Sequence, residues 1–334
     1  MSLLFLIYSP VLSQKKVVSF KGAQVTGITI SETGRLFANF PRWRKDIPYS
    51  VVEVMDDGSI KPYPNSAWNI WSLDQKPQDN QFISVQAMWA DADKLYVIET
   101  ANPQFKGIIT TPKVQVFDLK TNSHLKTYTL TDGSFTNNTY INDMRIDHKR
   151  DLIFLTDSGA GGIITIDLKT GISKGYLTDS KTTKAEVETL TFDNGIWKGT
   201  VNSDGIALNE EQDILYFHAL SGYTLYEINI EDLLNNDTSN IKSYTTGAPD
   251  GMLLDAHNRL FLANLEENKI EYLSPDRNKT KTLAQGKKVN WADTFSIYDG
   301  YFYYTNSRIN EATGDISDME FEIYKIKLPK FKND

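Results

Sequence analysis

The chain has 334 residues, a formal net charge of −8, 40% hydrophobic and 12% aromatic residues, and no cysteine. That composition buries a full core and excludes a disordered chain. The acidic balance argues against non-specific nucleic-acid binding, and the lack of cysteine excludes disulfides, thiolate catalysis and thiolate metal sites.

The first stretch, an apolar run from Leu3 to Leu12 followed by Ser13, Gln14 and two lysines, has the form of a secretory signal cut after Ser13. Residues 1–13 are therefore expected to be a signal peptide on a secreted or periplasmic protein. No later stretch approaches the ~18 apolar residues of a membrane-spanning helix.

From Thr26 onward one unit recurs six times. Its copies are TGITISETGRLFANF, QAMWADADKLYVIET from Gln86, NDMRIDHKRDLIFLTDSG from Asn142, DGIALNEEQDILYFHAL from Asp204, DGMLLDAHNRLFLANL from Asp250 and DTFSIYDGYFYYTNS from Asp293. Each reads as an apolar strand, a tight polar turn and a second strand. Third strands follow (SVVEVM, KVQVFDL, GIITIDL, YTLYEINI, KIEYLS, EIYKIKL), and fourth strands are legible in several copies, as in HLKTYTL and SKGYL.

The heads of the six copies lie 60, 56, 62, 46 and 43 residues apart. Four short strands per unit repeated around an axis make an all-β, six-bladed β-propeller with four-stranded blades, occupying residues 15–330 as one domain. The sixth copy lacks a fourth strand, so Lys15 to Phe20 is expected to enter the last blade as its outermost strand and close the ring. Helix is confined to at most one turn at Glu231–Asn235.

If each blade runs outward from the axis, the long connectors share one face. These are Pro62 to Ile83, Ala101 to Pro112, Lys181 to Ser203 and Asn306 to Glu320. The heads open on that same face, and long loops around a concave mouth are where function concentrates.

Several longer stretches resemble the major royal jelly protein/Yellow family, with the closest likeness to its bacterial branch: GRLFANFPRW, PYPNSAWN, VIETANPQF, PKVQVFDLKTN, YINDMRID, FLTDSGAGGIITIDL, SDGIALN and WADTFSIYDG. The resemblance spans about Val25 to Leu328 and implies a six-bladed propeller. Insect relatives include pigment-pathway proteins and salivary binders of biogenic amines. By resemblance to the amine binders, Thr294 and Asn306 carry over as ligand-contacting residues. The chain departs from the insect members in lacking their cysteines and in reading Thr305-Asn306-Ser307-Arg308 where they read Ser-Asn-Arg.

A more distant similarity links the heads to gluconolactonase-like hydrolytic propellers, which hold an axial divalent cation. It implies Asn142, Asp204 and Asp250 as metal ligands for Ca²⁺ or Mg²⁺. The glutamate such propellers take from the first blade does not appear, because Gln24 and Thr26 occupy that region.

Read as chemistry, Asn142, Asp204, Asp250 and Asp293 are hard oxygen donors suited to Ca²⁺ or Mg²⁺. An Asp at the head of an inner strand can equally serve only to accept from free backbone N–H groups. Like charges sharing a small site would raise at least one pKa and supply a general acid or base.

The expected ligand-binding set is Trp43, Gln86, Phe105, Asn142, Asp204, Asp250, Asp293, Thr294 and Asn306. Trp68 is a further pocket candidate, while Trp89 and Phe295 read as blade packing. Aromatics beside acids suit an amine or aryl ligand. Among the histidines His218 alone lies toward the mouth. Gly171-Ile172-Ser173-Lys174-Gly175 matches a nucleophile-elbow pattern but sits between strands, where that motif has no function. Asn137, Asn236 and Asn278 head glycosylation sequons.

The leading expectation is a monomeric, exported propeller that binds a small molecule, an amine or aromatic compound, at its axial mouth. The alternatives are a divalent-metal-dependent lactonase or related hydrolase, and a protein-interaction scaffold. Fold does not decide among them.

Overall fold

A computed structural model describes residues 12–329; the expected signal peptide, up to residue 11, lies outside the described residues. Six four-stranded antiparallel sheets form the ring. Blade 1 comprises Gly27–Ile30, Leu36–Asn39, Val51–Val54 and Ile60–Pro62. Blade 2 comprises Val85–Asp91, Lys94–Glu99, Lys113–Asp118 and His124–Thr129. Blade 3 follows with Ile141–Asp147, Leu152–Asp157, Ile163–Asp167 and Ser173–Tyr176.

Blade 4 is built from Ser203–Asn209, Ile214–Ala219, Thr224–Asn229 and Lys242–Thr245. Blade 5 is built from Met252–Leu254, Leu260–Asn264, Lys269–Leu273 and Thr280–Gln285. Blade 6 takes Phe295–Tyr298, Tyr301–Asn306 and Glu320–Lys327, and its outermost strand is the N-terminal segment Gln14–Lys21. That segment runs antiparallel from Gln14↔Ile326 to Lys21↔Glu320, so the ring closes as expected. A single helical turn at Ile230–Leu234, capped by Asn229, is the one α-helix among the described residues.

Local sequence explains the repeat. Every inner hairpin enters the left-handed region at its turn, at Gly34, Ala92, Asp151, Asp213, Asn258 and Asp299, the last followed by Gly300 in the same region. Five of these six are Gly, Asn or Asp, which tolerate that conformation at least cost. The strands alternate faces, and buried rows such as Ile153, Leu155, Ile164 and Ile166 of blade 3 pack on Ile98, Val114 and Val116 of blade 2. Blade-on-blade packing of this kind accounts for Trp89 and Phe295 as expected.

Two features of the inner strands position the site. In blades 2, 3 and 4 the pairing register slips by one residue, between Val85 and Met88, Ile141 and Met144, and Ser203 and Ile206. Each bulge falls on a head residue (Gln86, Asn142, Asp204) and re-aims its side chain out of the ladder. The inner strands also crowd at the axis. A Cβ on Gly205 would lie 2.5 Å from Met252 Sδ, and one on Gly251 would lie 2.8 Å from the Asp293 carbonyl oxygen. Glycine follows Asp204 and Asp250 because no larger residue fits there.

The connector Lys181 to Ser203 is not plain loop. It folds into a hairpin, Thr189–Phe192 with Gly195–Lys198, turned by Asp193 and Asn194 and anchored across the mouth. Thr191 N–H donates to Glu266 Oε1 at 2.6 Å, and Asn194 Nδ2 donates to Glu311 Oε1 at 3.0 Å. Among the described residues no helix is long and apolar enough to cross a membrane.

Candidate functional site

An axial cavity of about 580 Å³ opens on the face of the long connectors. Its lining includes Trp43, Gln86, Phe105, Asn142, Asp204, Asp250 and Asp293 from the expected set, and adds Tyr140, Trp197 and Trp291. Three of the four long connectors contribute to it. The fourth, Pro62 to Ile83, does not.

Trp68 belongs to that fourth connector and is correspondingly misplaced by the sequence reading. Asn65 caps a 3-10 turn there, and Asn69 Oδ1 accepts from the N–H groups of Ser50 and Val51. This folds the segment onto blade 1, with Trp68 packed against Phe82, Phe117 and His124. His218 is also absent from the cavity. It is fully buried, its imidazole facing the Ala219 carbonyl and the Thr246 hydroxyl, and burial pushes its pKa down to about 4.

Thr294 and Asn306 stand behind the site. The Thr294 hydroxyl donates to Asp293 Oδ1 at 3.1 Å. Asn306 Oδ1 accepts from Asn290 N–H at 2.7 Å, tying the end of a strand to the connector before blade 6. Neither side chain lines the cavity.

The aromatic walls come from loops held in unusual conformations. Phe105, 60% exposed at φ 55°, stacks between Trp43 at 5.7 Å and Tyr140 at 5.2 Å between ring centroids. Trp291 sits at φ 56°, uncommon for a bulky residue. Stacking on Phe192 at 5.5 Å, an edge contact with Trp197 at 5.1 Å and an Nε1–H bond to Asp250 Oδ2 at 2.6 Å hold it there. Asp193-Asn194-Gly195 was the sequence signal for the hairpin that delivers Trp197. Tyr140 was findable as the aromatic residue leading into the inner strand of blade 3, two places before Asn142.

A directed chain of hydrogen bonds crosses the floor. Trp43 Nε1–H donates to the Tyr140 hydroxyl at 2.8 Å, which donates to Gln86 Oε1 at 2.7 Å. Gln86 Nε2 donates to Asn142 Oδ1 at 3.3 Å, and Asn142 Nδ2 donates to Asp204 Oδ2 at 2.7 Å. An indole N–H can only donate, so the Tyr140 hydroxyl accepts from Trp43 and has its own proton free for Gln86. The chain therefore delivers a donor to the Asp204 carboxylate.

The acids share a poorly solvated floor. Burial, then the charges of Asp250 and Asp143, hold Asp204 well above the usual carboxylate range. Burial, then Asp250 and Asp204, do the same for Asp293. Burial pushes Asp250 up to about 7, against the opposing hydrogen bond from Trp291. No Lys or Arg lines the cavity among the described residues.

This geometry does not fit the Ca²⁺ or Mg²⁺ implied for Asn142, Asp204 and Asp250. Asn142 turns its nitrogen toward Asp204 while its oxygen accepts from Gln86, and one oxygen of Asp250 is taken by Trp291. Among the described residues no three His, Cys, Asp or Glu side chains are grouped to hold a metal ion. A hard cation would need several oxygens converging on one point.

Comparison with known proteins places this architecture. The family model for major royal jelly protein matches residues 83–333. The chain belongs to the major royal jelly protein family. This royal jelly family member is 24% identical over 221 residues to the dopaminechrome tautomerase of Drosophila melanogaster, covering 60% of the chain and 47% of that relative. It is 28% identical over 124 residues to protein yellow of Drosophila pseudoobscura pseudoobscura, covering 34% of the chain and 21% of that protein. The chain thus spans less than half the length of these curated relatives.

Among solved structures, a luciferin-regenerating enzyme superposes with a TM-score of 0.62 at 11% identity, covering 97% of both chains. A gluconolactonase from Xanthomonas campestris superposes with a TM-score of 0.58 at 12% identity, covering 95% of this chain and 89% of that one. At these identities the likeness is one of fold.

Proposed function

We propose that the axial cavity binds a small aromatic amine. Its ring lies between the Trp43–Phe105–Tyr140 wall and the Trp197–Trp291 pair, and its ammonium group lies among Asp204, Asp250 and Asp293. The observation that carries this reading is the pairing of aromatic walls with buried carboxyl groups that no Lys or Arg of the cavity lining accompanies. An ammonium group supplies the missing positive charge and gains cation–π attraction of about 0.5–2 kcal/mol from each well-placed ring. Planar aromatic groups match the stacked walls at little entropic cost, since the rings are already held in place.

Calorimetry with dopamine, tyramine and 2-phenylethanol tests the reading. The two amines are expected to bind, the neutral alcohol at least about 10-fold more weakly, and Asp204→Asn to remove most of the difference. Equal binding of the alcohol and the amines would overturn it.

A second reading has a specific observation in its favour. Asp250 near pH 7 is poised to take a proton and return it, and a curated relative is a dopaminechrome tautomerase. We therefore also propose tautomerisation of a bound aminochrome, in which a carboxylate removes a proton from carbon and the acid form returns one elsewhere on the ring system. No oxidant or reductant takes part. Loss of aminochrome absorbance on adding the protein, abolished by Asp250→Asn, is the expected result. Base-consuming ring opening of a lactone without aminochrome turnover would favour the hydrolase alternative instead.

A further inference from the structure

Beneath the acids, the axis carries a cation of the protein's own. Arg145, on the inner strand of blade 3 three residues beyond Asn142, is buried with its side chain 7% exposed. Its Nη1 donates to both carboxylate oxygens of Asp143 at 3.1 Å and also to the Met144 carbonyl. Its Nη2 crosses to blade 5 and donates to the Met252 carbonyl at 2.7 Å. The guanidinium lies over the Trp89 ring of blade 2, 4.2 Å from its centroid.

One side chain therefore binds the inner strands of three blades, two of them not adjacent in the ring. A planar fork with five donors and a permanent charge can make all these contacts at once; an ammonium group cannot.

Its placement bears on the acids above it. Asp143 N–H donates to the Thr156 hydroxyl, which donates to the Asp204 carbonyl, so the Asp143–Arg145 pair is built onto the floor of the cavity. The Asp143 charge reaches Asp204, Asp250 and Asp293 alike. A carboxylate sunk beside those acids needs a paired charge, which Arg145 gives to Asp143, and the oxygens above are not arranged for an ion.

We propose that the Arg145 guanidinium is the fixed axial cation of this propeller, closing the channel below the acids and making the site independent of a divalent metal. The proposal stands apart from the amine reading: the cavity could take another ligand and Arg145 would still fill this role. It also differs from a plain packing role, because it predicts that removing the charge leaves a place for a metal ion.

Thermal melting of the full chain after chelation, titrated with CaCl₂ or MgCl₂, tests it. The wild-type protein is expected to melt at the same temperature with EDTA, Ca²⁺ or Mg²⁺. Arg145→Met is expected to melt lower and to regain several degrees, in order of magnitude, on adding millimolar Ca²⁺. The double variant Asp143→Asn/Arg145→Met is expected to lose that response, and Arg145→Lys to stay insensitive to metal.

Two results would overturn the proposal: stabilisation of the wild type by Ca²⁺ or Mg²⁺ that Asp204→Asn abolishes, or an Arg145→Met variant that folds and responds to neither ion. If Arg145→Met alone fails to fold, recovery of folding by adding Asp143→Asn supports the role in charge balance. Failure of both variants to fold would assign Arg145 to packing and overturn it.

Discussion

Trp291 Nε1–H donates to Asp250 Oδ2 at 2.6 Å, in a floor where both residues are buried. This bond joins an aromatic wall of the cavity to the acid whose pKa lies near neutrality. It favours the charged form of Asp250, yet burial outweighs it, so the fold holds a carboxyl group that is largely protonated at pH 5 and largely ionised at pH 8. The sign of the resulting stability change follows directly. Between its unfolded value near 3.8 and about 7, Asp250 binds protons more tightly in the folded state, so stability falls as pH rises through that window.

Asp250→Asn should therefore gain stability relative to wild type as pH rises from 5 to 8. About two pH units of the displacement fall within that range, an effect on the order of 3 kcal/mol. Urea melts of the two proteins at a series of pH values measure it. The difference between them cancels the opposite trend of His218, whose lowered pKa costs stability as pH falls from 6.5 toward about 4. A wild-type minus variant difference independent of pH would show that Asp250 titrates normally.

Trp43→Phe keeps the ring that stacks on Phe105 but removes the N–H that starts the hydrogen-bond chain to Asp204. Loss of a buried hydrogen bond costs about 1 kcal/mol, so amine affinity should fall about 5-fold. Trp43→Ala, which also forfeits the stack, should cost about 10-fold more. Wild-type affinity in Trp43→Phe would mean that the chain beyond Tyr140 does not depend on Trp43.

Trp197→Ala should weaken ligand binding about 10-fold with a small change in melting temperature, because Trp197 contributes an edge contact to Trp291 from a hairpin that hangs outside the blades. Binding titrations paired with thermal melts separate the two effects. A large drop in melting temperature without change in affinity would make the hairpin structural.

Gly205→Ala should be destabilised by more than about 2 kcal/mol, since its Cβ would sit 2.5 Å from Met252 Sδ and 3.1 Å from the Asp250 carbonyl oxygen. Gly175→Ala, which is not at positive φ and whose Cβ would meet nothing closer than the Ser134 carbonyl oxygen at 3.5 Å, controls for the loss of a glycine in general. Chemical denaturation of both variants gives the comparison.

Much of this was legible in the chain. The heads could be read because they recur at the start of an alternating strand, and the N-terminal latch because blade 6 runs out of sequence. What could not be read is the direction of side chains whose partners lie far away. Asn142 looks like an oxygen donor to an ion, yet it presents nitrogen to Asp204, 62 residues away, while its oxygen accepts from Gln86, 56 residues away. Glu99 gave no sign of its role either. It ends the second strand of blade 2, where its carboxylate accepts from the N–H groups of Ile83, Ser84 and Ala101 and fixes the loop before that blade. Trp68 shows the reverse failure: a tryptophan in a mouth-side connector was drawn into blade packing because Asn69 folded its loop inward.

The pairing of Gln14–Lys21 with Glu320–Lys327 brings the two ends of the described chain into one sheet. During synthesis Gln14–Lys21 must wait without its partner until Glu320–Lys327 emerges, so the ring can lock only once all six blades have left the ribosome. The same pairing makes blade 6 the natural seam of the molecule. Opening the chain in a connector between two blades, with a short linker from Lys327 to Gln14, should yield a circular permutant that keeps the cavity and needs no late-arriving strand to seal it.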